Sequence, residues 1–424
     1  KLVVGIFAIA LVIAGYGISQ ITVNDNPVRW FQSDHRIRVA DRVLNAHFAG
    51  TYSAYLRLES EQAEAAPERF RRQSRQIIEQ ARADGVPIGD AWIKLRERAA
   101  RDAEGFRALL ETLSLAVEEA LFSADDAAYP WWDELLALID ETRGELNTFQ
   151  RPAMLRYIAD FQAALAESPA VGKVNTVSDL VRTVYRELRS GEAADYRIPD
   201  SRQAVAQTIL SFQGSHRPHD LWRMVTPDYR AANLWLQLSS GDNQDMQAVI
   251  DRANAYVERN PLPEGVTMSW GGLNYINVVW QDAMVKGMAQ SLAIAWVMVA
   301  GMMLVLFRSL VFGLLAMVPL TVSIALIYGV VGLIGKYYDM PIAVLSSLTL
   351  GLSVDFAIHF IERSRENYRR TGNFAESMRL MFREPARAIS RNAIVIAVGF
   401  LPLLAAPLVP YNTVGIFLAS IMAA

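Results

Sequence analysis

The sequence contains no cysteine, which excludes disulfide bonds and thiolate metal sites within this chain. It contains no GxxxxGK[ST] loop, so nothing in it predicts an ATP-driven pump. The formal net charge of −3 gives no support for a nucleic-acid partner. No pattern typical of a soluble catalytic site is present either. We therefore expect neither enzymatic activity nor a cofactor.

Histidine is also scarce, with five in the chain. His216 and His219, followed by Asp220, form an HxxHD string that could suggest a metal site. Metal sites usually need a third and a fourth ligand with defined geometry, and no cysteine or further histidine lies nearby in the sequence. A polar loop is the better interpretation, and we expect no metal.

Apolar residues are abundant, at 52% of the chain, but charge is distributed unevenly. Residues 60–146 are rich in Glu, Asp and Arg, whereas residues 287–361 carry almost no charge. This composition is typical of a membrane protein with a large soluble domain and not of one globular unit.

Several apolar runs approach the ~20 residues that a membrane-spanning helix needs. The predicted spans are 2–19, 287–306, 310–334, 341–361, 391–408 and 411–424, the last of them truncated. The first resembles a signal peptide in length, but no small-residue cleavage site follows it. Because the chain starts without Met and stops inside an apolar run, we expect it to be part of a longer polypeptide.

The connectors between these spans predict one orientation in the membrane. Segment 362–391 contains four glutamates and an excess of arginines, at positions 363, 365, 369, 370, 379, 383, 387 and 391. Arg308 lies in the turn between the second and third spans, and Lys1 precedes the first. The positive-inside rule places all three in the cytoplasm. Residues 20–286 are then predicted to be periplasmic, outside a bacterial inner membrane. Buried helices of a soluble protein would not show this consistent charge bias.

The predicted periplasmic domain alternates strand and helix patterns. Strands are expected at 51–59, 171–177, 221–226, 229–239 and 265–272, and helices at 155–168 and 245–260. The pattern predicts two ferredoxin-like βαβ subdomains, with a hairpin at the turn Pro227–Asp228. Residues 60–146 are predicted to form an inserted helical hairpin. The hairpin is either a solvated elaboration or a docking surface for a partner.

A polar stripe follows one face of the fourth predicted span. Ser347, Gly351, Asp355 and His359 are spaced four residues apart on an otherwise apolar helix. Asp355 lies ~21 Å along the helix from Pro341, well inside the bilayer. An ionisable group at this depth is expensive, and it predicts function. Facing the bundle interior, the stripe could act as a proton relay or as a structural polar clamp between helices. The residues alone leave both open.

Four segments resemble MMPL-type exporters of the RND superfamily. The main one is GLSVDFAIHFIERSRE (351–366), which is similar to the family's fourth-span signature. The others are NDNPVRWF with DHRIRVADRVLNAHF (24–48), FQRPAMLRYIADFQ (149–162) and FRSLVFGLLAMVPL (307–320). The resemblance covers nearly the whole chain apart from the insert at 60–146.

The resemblance implies a transporter of two halves with twelve spans in all, in which this chain is a little less than one half, most similar to the C-terminal one. It implies proton-driven export of lipids or other hydrophobic molecules, with the proton on Asp355. Many such exporters have Tyr after this acid, whereas this chain has Phe356. His359 is then the expected substitute in the relay, and Gly351 and Ser347 are expected to pack against a neighbouring helix.

The expected partners are hydrophobic cargo, membrane lipids and the second half of the same polypeptide. A homo-oligomer or a periplasmic partner could bind through the insert. The alternative function is lipid or sterol binding and sensing of the Patched-like type, without obligatory proton coupling. An accessory to protein translocation, as in SecD/SecF relatives, fits the motif and the insert less well.

Overall fold

The computed structural model describes residues 2–383 and 385–423. The side chains of residues 2–4, 62–64, 102, 346–349, 352–353 and 423 lie outside this description. The chain forms two compact units. The first, called the bundle unit, comprises Lys1–Thr51, Ser240–Gln247 and Asn274–Ala424. The second, called the sheet unit, comprises Tyr52–Ser239 and Ala248–Leu273.

Most of the described residues are helical. The helices are α1 (Leu2–Ser19), α2 (Arg36–His47), α3 (Gln62–Ala83), α4 (Gly89–Asp102), α5 (Phe106–Phe122), α6 (Tyr129–Leu146), α7 (Pro152–Ala166), α8 (Val177–Arg189), α9 (Arg202–Gln213), α10 (Asn243–Arg259), α11 (Leu273–Phe307), α12 (Leu310–Leu333), α13 (Met340–Thr371), α14 (Phe374–Arg383), α15 (Pro385–Phe400) and α16 (Val409–Ala423). The strands are β1 (Tyr52–Ser60), β2 (Val171–Asn175), β3 (Ala231–Leu238) and β4 (Val266–Gly271).

The sheet unit is built on one four-stranded sheet in the order β2-β3-β1-β4, with antiparallel pairing throughout. Alternate residues of the central strands are buried, including Leu56 of β1 and Leu236 of β3. This period-two pattern is what a sheet with one packed face requires. Phe161 of α7 stacks on Tyr256 of α10, with ring centroids 4.8 Å apart.

The prediction of two ferredoxin-like subdomains is wrong. The elements β1, α7, β2, β3, α10 and β4 follow the β-α-β-β-α-β order within a single sheet. The two βαβ units merge because β1 pairs with both β3 and β4. The predicted strand 221–226 is largely a 3₁₀ helix, Pro218–Arg223, followed by an isolated bridge at Val225. Proline at the start of this segment favours the helical turn.

The insert after β1 forms four helices, α3 to α6, where the sequence predicts a hairpin of two. Each helix contributes a large side chain to one shared core, represented by Phe70, Trp92, Leu113 and Leu135. The sequence predicts that the second helix of this hairpin covers 93–122 without a break. The helix is interrupted before α5, where Gly105 adopts a φ of 100° that glycine tolerates best. The insert therefore has its own apolar core and is more than a solvated projection.

In the bundle unit, α1 and α12 pack closely through small residues. A Cβ atom built on Gly332 would lie 1.8 Å from the carbonyl oxygen of Gly17. One built on Gly329 would lie 2.5 Å from the Cα atom of Ala14. Small residues at this spacing let two helix backbones approach each other, as is common between membrane helices.

The predicted spans 2–19, 287–306 and 341–361 and the described part of 411–424 each lie within one helix. Span 310–334 extends one residue beyond α12, and span 391–408 continues past α15 and the 3₁₀ helix Leu401–Ala405. By length and composition, three segments can cross a membrane: Leu273–Phe307, Leu310–Leu333 and Pro385–Ala405. Gly5–Ser19 and Val409–Met422 are shorter apolar helices. The 32-residue α13 exceeds the ~20 residues needed, but it carries Asp355 and a charged end. The total of six spans stays a prediction.

The arginine-rich connector between the fourth and fifth predicted spans is mostly helical. α13 continues to Thr371, α14 follows, and α15 begins at Pro385. Met381 of α14 is fully buried, and Ser377 donates a hydrogen bond of 2.9 Å from its Oγ to the Ser364 carbonyl oxygen. The connector therefore packs back on α13, and its arginines are exposed except for Arg365, which is half-buried.

Candidate functional site

Helix α13 carries all the site residues that the sequence predicts, and its ends are well defined. Asp339 caps its first turn by accepting a hydrogen bond of 3.2 Å from the Ile342 amide. Pro341 occupies the first turn, where its missing N–H costs nothing. Gly372 ends the helix in the left-handed conformation, with a φ of 65°. These caps fix where each side chain of the site lies along the helix.

Two faces of α13 are packed within the bundle unit. Leu350 and Ile361 are buried in a cluster with residues of α11 and α12. Leu345 is buried in a second cluster, formed with α12 and α16. Apolar contacts at spacings of three and four residues thus hold the helix in place and leave a third face uncovered.

The third face carries the predicted relay. Gly351, Asp355 and His359 are all exposed, and a Cβ atom built on Gly351 would meet no atom within 4 Å. The residues that the structure describes make no hydrogen bond or ion pair with the Asp355 carboxylate. The side chain of Ser347 lies outside the described residues. The described helices leave this stripe open, which differs from the interior location that the sequence predicts, because α11, α12 and α16 pack on the other faces.

Phe356 is half-buried against the cluster formed with α16, and it lines two cavities. The apolar cavity, about 670 Å³, lies between α12, α13, α15 and α16 and is lined by residues such as Pro319 and Ala393. The other cavity, about 950 Å³, lies between α13, α14 and α15. We call it the arginine groove. Its charged and titratable lining consists of His359, Arg363, Glu366, Arg370 and Arg383.

The two members of the predicted relay therefore differ in their surroundings. His359 opens onto the arginine groove at the charged end of α13, whereas Asp355 lies one turn deeper in the apolar part of the helix. The geometry thus orders the two groups along one helix face.

A second acidic site, which the sequence analysis did not identify, lies in the bundle unit before α13. Asp25 is 7% exposed, and its Oδ1 accepts hydrogen bonds of 2.9 Å from Trp30 Nε1 and from the Asn26 amide. Burial raises the pKa of the Asp25 carboxyl above its ordinary value, although these two hydrogen bonds oppose the change. The nearby charge of Asp339 raises the pKa further.

A neighbouring carboxylate, Asp242, is paired. It accepts a hydrogen bond of 2.6 Å from Asn26 Nδ2 and forms an ion pair of 2.6 Å with Arg29. The Arg29 guanidinium also lies over the Tyr337 ring, 5.6 Å from its centroid. The segment NDNPVRWF thus ties residues far apart in sequence into one polar cluster. The run of three polar residues at the start of this segment is the only sign of the cluster in the sequence. The sequence alone does not reveal which residues they contact.

The fold and the site define an integral membrane protein in which apolar helices are joined to a separate α+β unit. The sequence model of the MMPL family matches residues 153–423. The chain belongs to the MMPL family. This confirms the family resemblance inferred from the sequence motifs.

An archaeal protein is also similar in sequence. The chain is 25% identical over 170 residues to "Putative membrane protein MJ1562" of Methanocaldococcus jannaschii. The match covers 40% of this chain and 44% of that protein. The chain thus spans less than half the length of this curated relative.

Proposed function

We propose that the protein is a proton-motive-force-driven exporter of lipids or other hydrophobic and amphiphilic molecules in a bacterial inner membrane. In this proposal residues 20–286 lie in the periplasm, and Asp355 and His359 form the proton relay. The observation that carries the proposal is the open face of α13, which holds an acid and a histidine one turn apart between two packed apolar faces.

The physical argument rests on the cost of a charge inside a bilayer. An ionised carboxylate near the centre of a membrane helix costs at least ~2.5–3.5 kcal/mol, so such residues are retained where they function. Binding a proton removes that cost and changes which neighbours Asp355 favours. A two-state bundle can then be shifted by protonation, because the two protonation states stabilise different helix arrangements.

The open face also suggests what completes the site. Gly351 has free space above its Cα atom, and together with Asp355 it offers a narrow surface for another helix to approach. We infer that the second half of the same polypeptide packs here and encloses the relay. A proton would then pass between Asp355 and the arginine groove through His359.

The four-helix insert is proposed to bind a second copy of the protein or a periplasmic partner. Its apolar core is complete, and yet Leu115 and Phe122 are 69% and 94% exposed on α5. Exposed large apolar side chains on a stably folded element favour a docking surface over a purely solvated one.

The test uses efflux of the hydrophobic dye Nile red from cells that produce the protein. Asp355→Asn removes the titratable group with almost no change in size, and we expect it to abolish efflux while the protein still folds. Glu362→Gln is the matched control, because it removes an exposed carboxylate from the charged end of the same helix. We expect this control to retain efflux.

Full efflux by Asp355→Asn would contradict the relay. Efflux that persists after a protonophore collapses the proton gradient would instead favour lipid binding or sensing of the Patched-like type, without obligatory coupling.

A further inference from the structure

The arginine groove and the apolar cavity adjoin, and together they have the shape of an amphiphile site. Both are lined by Phe356 and Ile389, so the two cavities meet at these two side chains. Volumes of about 950 Å³ and 670 Å³ are within or close to the ~300–1,000 Å³ range of small-molecule sites. A ligand with a polar head and an apolar tail could occupy both.

The charges of the arginine groove favour a ligand whose polar head is negatively charged. The described residues of its lining include three arginines and one glutamate, and that glutamate, Glu366, is already paired with Arg363 at 2.7 Å. Arg370 and Arg383 form no hydrogen bond or ion pair with any residue in the part of the chain that the structure describes. Guanidinium groups without a carboxylate partner are well suited to bind a phosphate through two parallel hydrogen bonds.

A nearby arginine shows the contrast. Arg365 donates a hydrogen bond of 3.2 Å to the Phe307 carbonyl oxygen and lies over the Phe312 ring, 4.8 Å from its centroid. The Arg365 guanidinium is therefore already engaged by residues within the bundle unit. Among the described residues, no such partner engages the guanidinium groups of Arg370 and Arg383, in contrast to Arg365.

The position in the membrane identifies the source of the ligand. The groove lies at the charged end of α13, which the positive-inside rule assigns to the cytoplasmic side. Anionic phospholipids of that leaflet attract basic segments next to membrane helices. We propose that the arginine groove binds the phosphate head of an anionic phospholipid, whose acyl chain enters the apolar cavity. This proposal is independent of proton coupling.

The first experiment titrates the purified protein in detergent with dioleoyl phosphatidylglycerol and measures binding by native mass spectrometry. We expect the double variant Arg370→Gln/Arg383→Gln to bind this lipid at least about tenfold more weakly, since each arginine contributes to attraction of the anionic head. The matched control is Arg379→Gln/Arg387→Gln, which removes two exposed arginines of the same connector that do not line the groove. This control should bind like the unmodified protein.

Two further arms separate the head from the tail. Dioleoyl phosphatidylcholine has the same chains without net negative charge, and we expect it to bind more weakly by a similar factor. Ala393→Phe narrows the apolar cavity. It should weaken the binding of phosphatidylglycerol without changing how inorganic phosphate competes for the arginine groove. Thermal unfolding of each variant checks that it is folded.

The proposal is overturned by any of three results: equal loss in the control double variant, equal binding of phosphatidylcholine, or complete displacement of the lipid by inorganic phosphate alone at matched concentration. None of these variants changes Asp355 or His359, so a failed relay would leave this proposal standing.

Discussion

The buried carboxyl group of Asp25 makes stability depend on pH in a direction opposite to that of a salt-bridged acid. Its pKa in the folded protein is raised by burial and by the charge of Asp339. Its stabilising contribution is therefore complete below the unfolded pKa of ~3.9, and it is lost as pH rises through the folded value. The Asp25 carboxyl group, which accepts a hydrogen bond from Trp30, thus weakens the fold when it ionises.

We predict that Asp25→Asn removes this loss of stability with rising pH. The amide oxygen of the asparagine can still accept the Trp30 hydrogen bond. The stability of the variant relative to the unmodified protein should be greater at neutral pH than at mildly acidic pH, measured by thermal unfolding in detergent. Asp34→Asn, at an exposed carboxylate in the same segment, is the control. A relative stability that is identical at both pH values would contradict the assignment.

His359 and Phe356 offer a second test at the level of single residues. If the histidine replaces the tyrosine hydroxyl that the family resemblance implies, His359→Gln should lower proton flux by about 10²-fold, the lower end of the range for a positioned proton-transfer group. Adding Phe356→Tyr should then restore part of the flux, because position 356 lines the arginine groove together with position 359 and lies three residues from it on the helix.

The comparison for this rescue is His359→Gln with Phe360→Tyr. Phe360 lines the apolar cavity but not the arginine groove, so its hydroxyl should restore nothing. Rescue by both tyrosines alike would show that any added hydroxyl suffices and that position 356 has no special role. Flux is measured in proteoliposomes with a pH-sensitive dye.

Among the elements, the contact between α1 and α12 is the one most sensitive to side-chain size. We predict that Gly332→Ala lowers the free energy of unfolding by about 1–3 kcal/mol, since its Cβ would overlap the Gly17 carbonyl oxygen and separate the helices. The measurement is thermal unfolding in detergent.

Gly15→Ala is the matched control for this element. It lies in α1, and a Cβ atom there meets nothing within 4 Å. It should be neutral or stabilise by up to about 1 kcal/mol, because alanine favours a helix over glycine. Equal destabilisation by both variants would mean that the close contact between α1 and α12 is not what matters.

For the whole molecule, local patterns predicted elements better than they predicted how elements assemble. The apolar run that forms α12 and the alternation that forms β3 are both visible in sequence, since each depends on the period of one segment. The single sheet is not visible, because it depends on pairing between β1 and strands about 170 or more residues away. The break before Gly105 was missed because a helix-favouring composition continues across it.

The site shows the same division. The spacing of Asp355 and His359 on one face of α13 follows from helix geometry, and the structure places both there. The raised pKa of Asp25 depends on its burial and on the charge of Asp339, and the arginine groove depends on how α14 and α15 pack on α13. Tertiary contacts of this kind leave no periodic signal in the sequence.

The most direct test of the central claim is proton flux through Asp355. The purified protein is placed in proteoliposomes with an imposed pH gradient, and the dissipation of the gradient is followed with a pH-sensitive dye. We expect flux in the unmodified protein and in Glu362→Gln, and background leakage in Asp355→Asn. Equal flux in Asp355→Asn and the unmodified protein, with both shown to be folded and inserted, would contradict it.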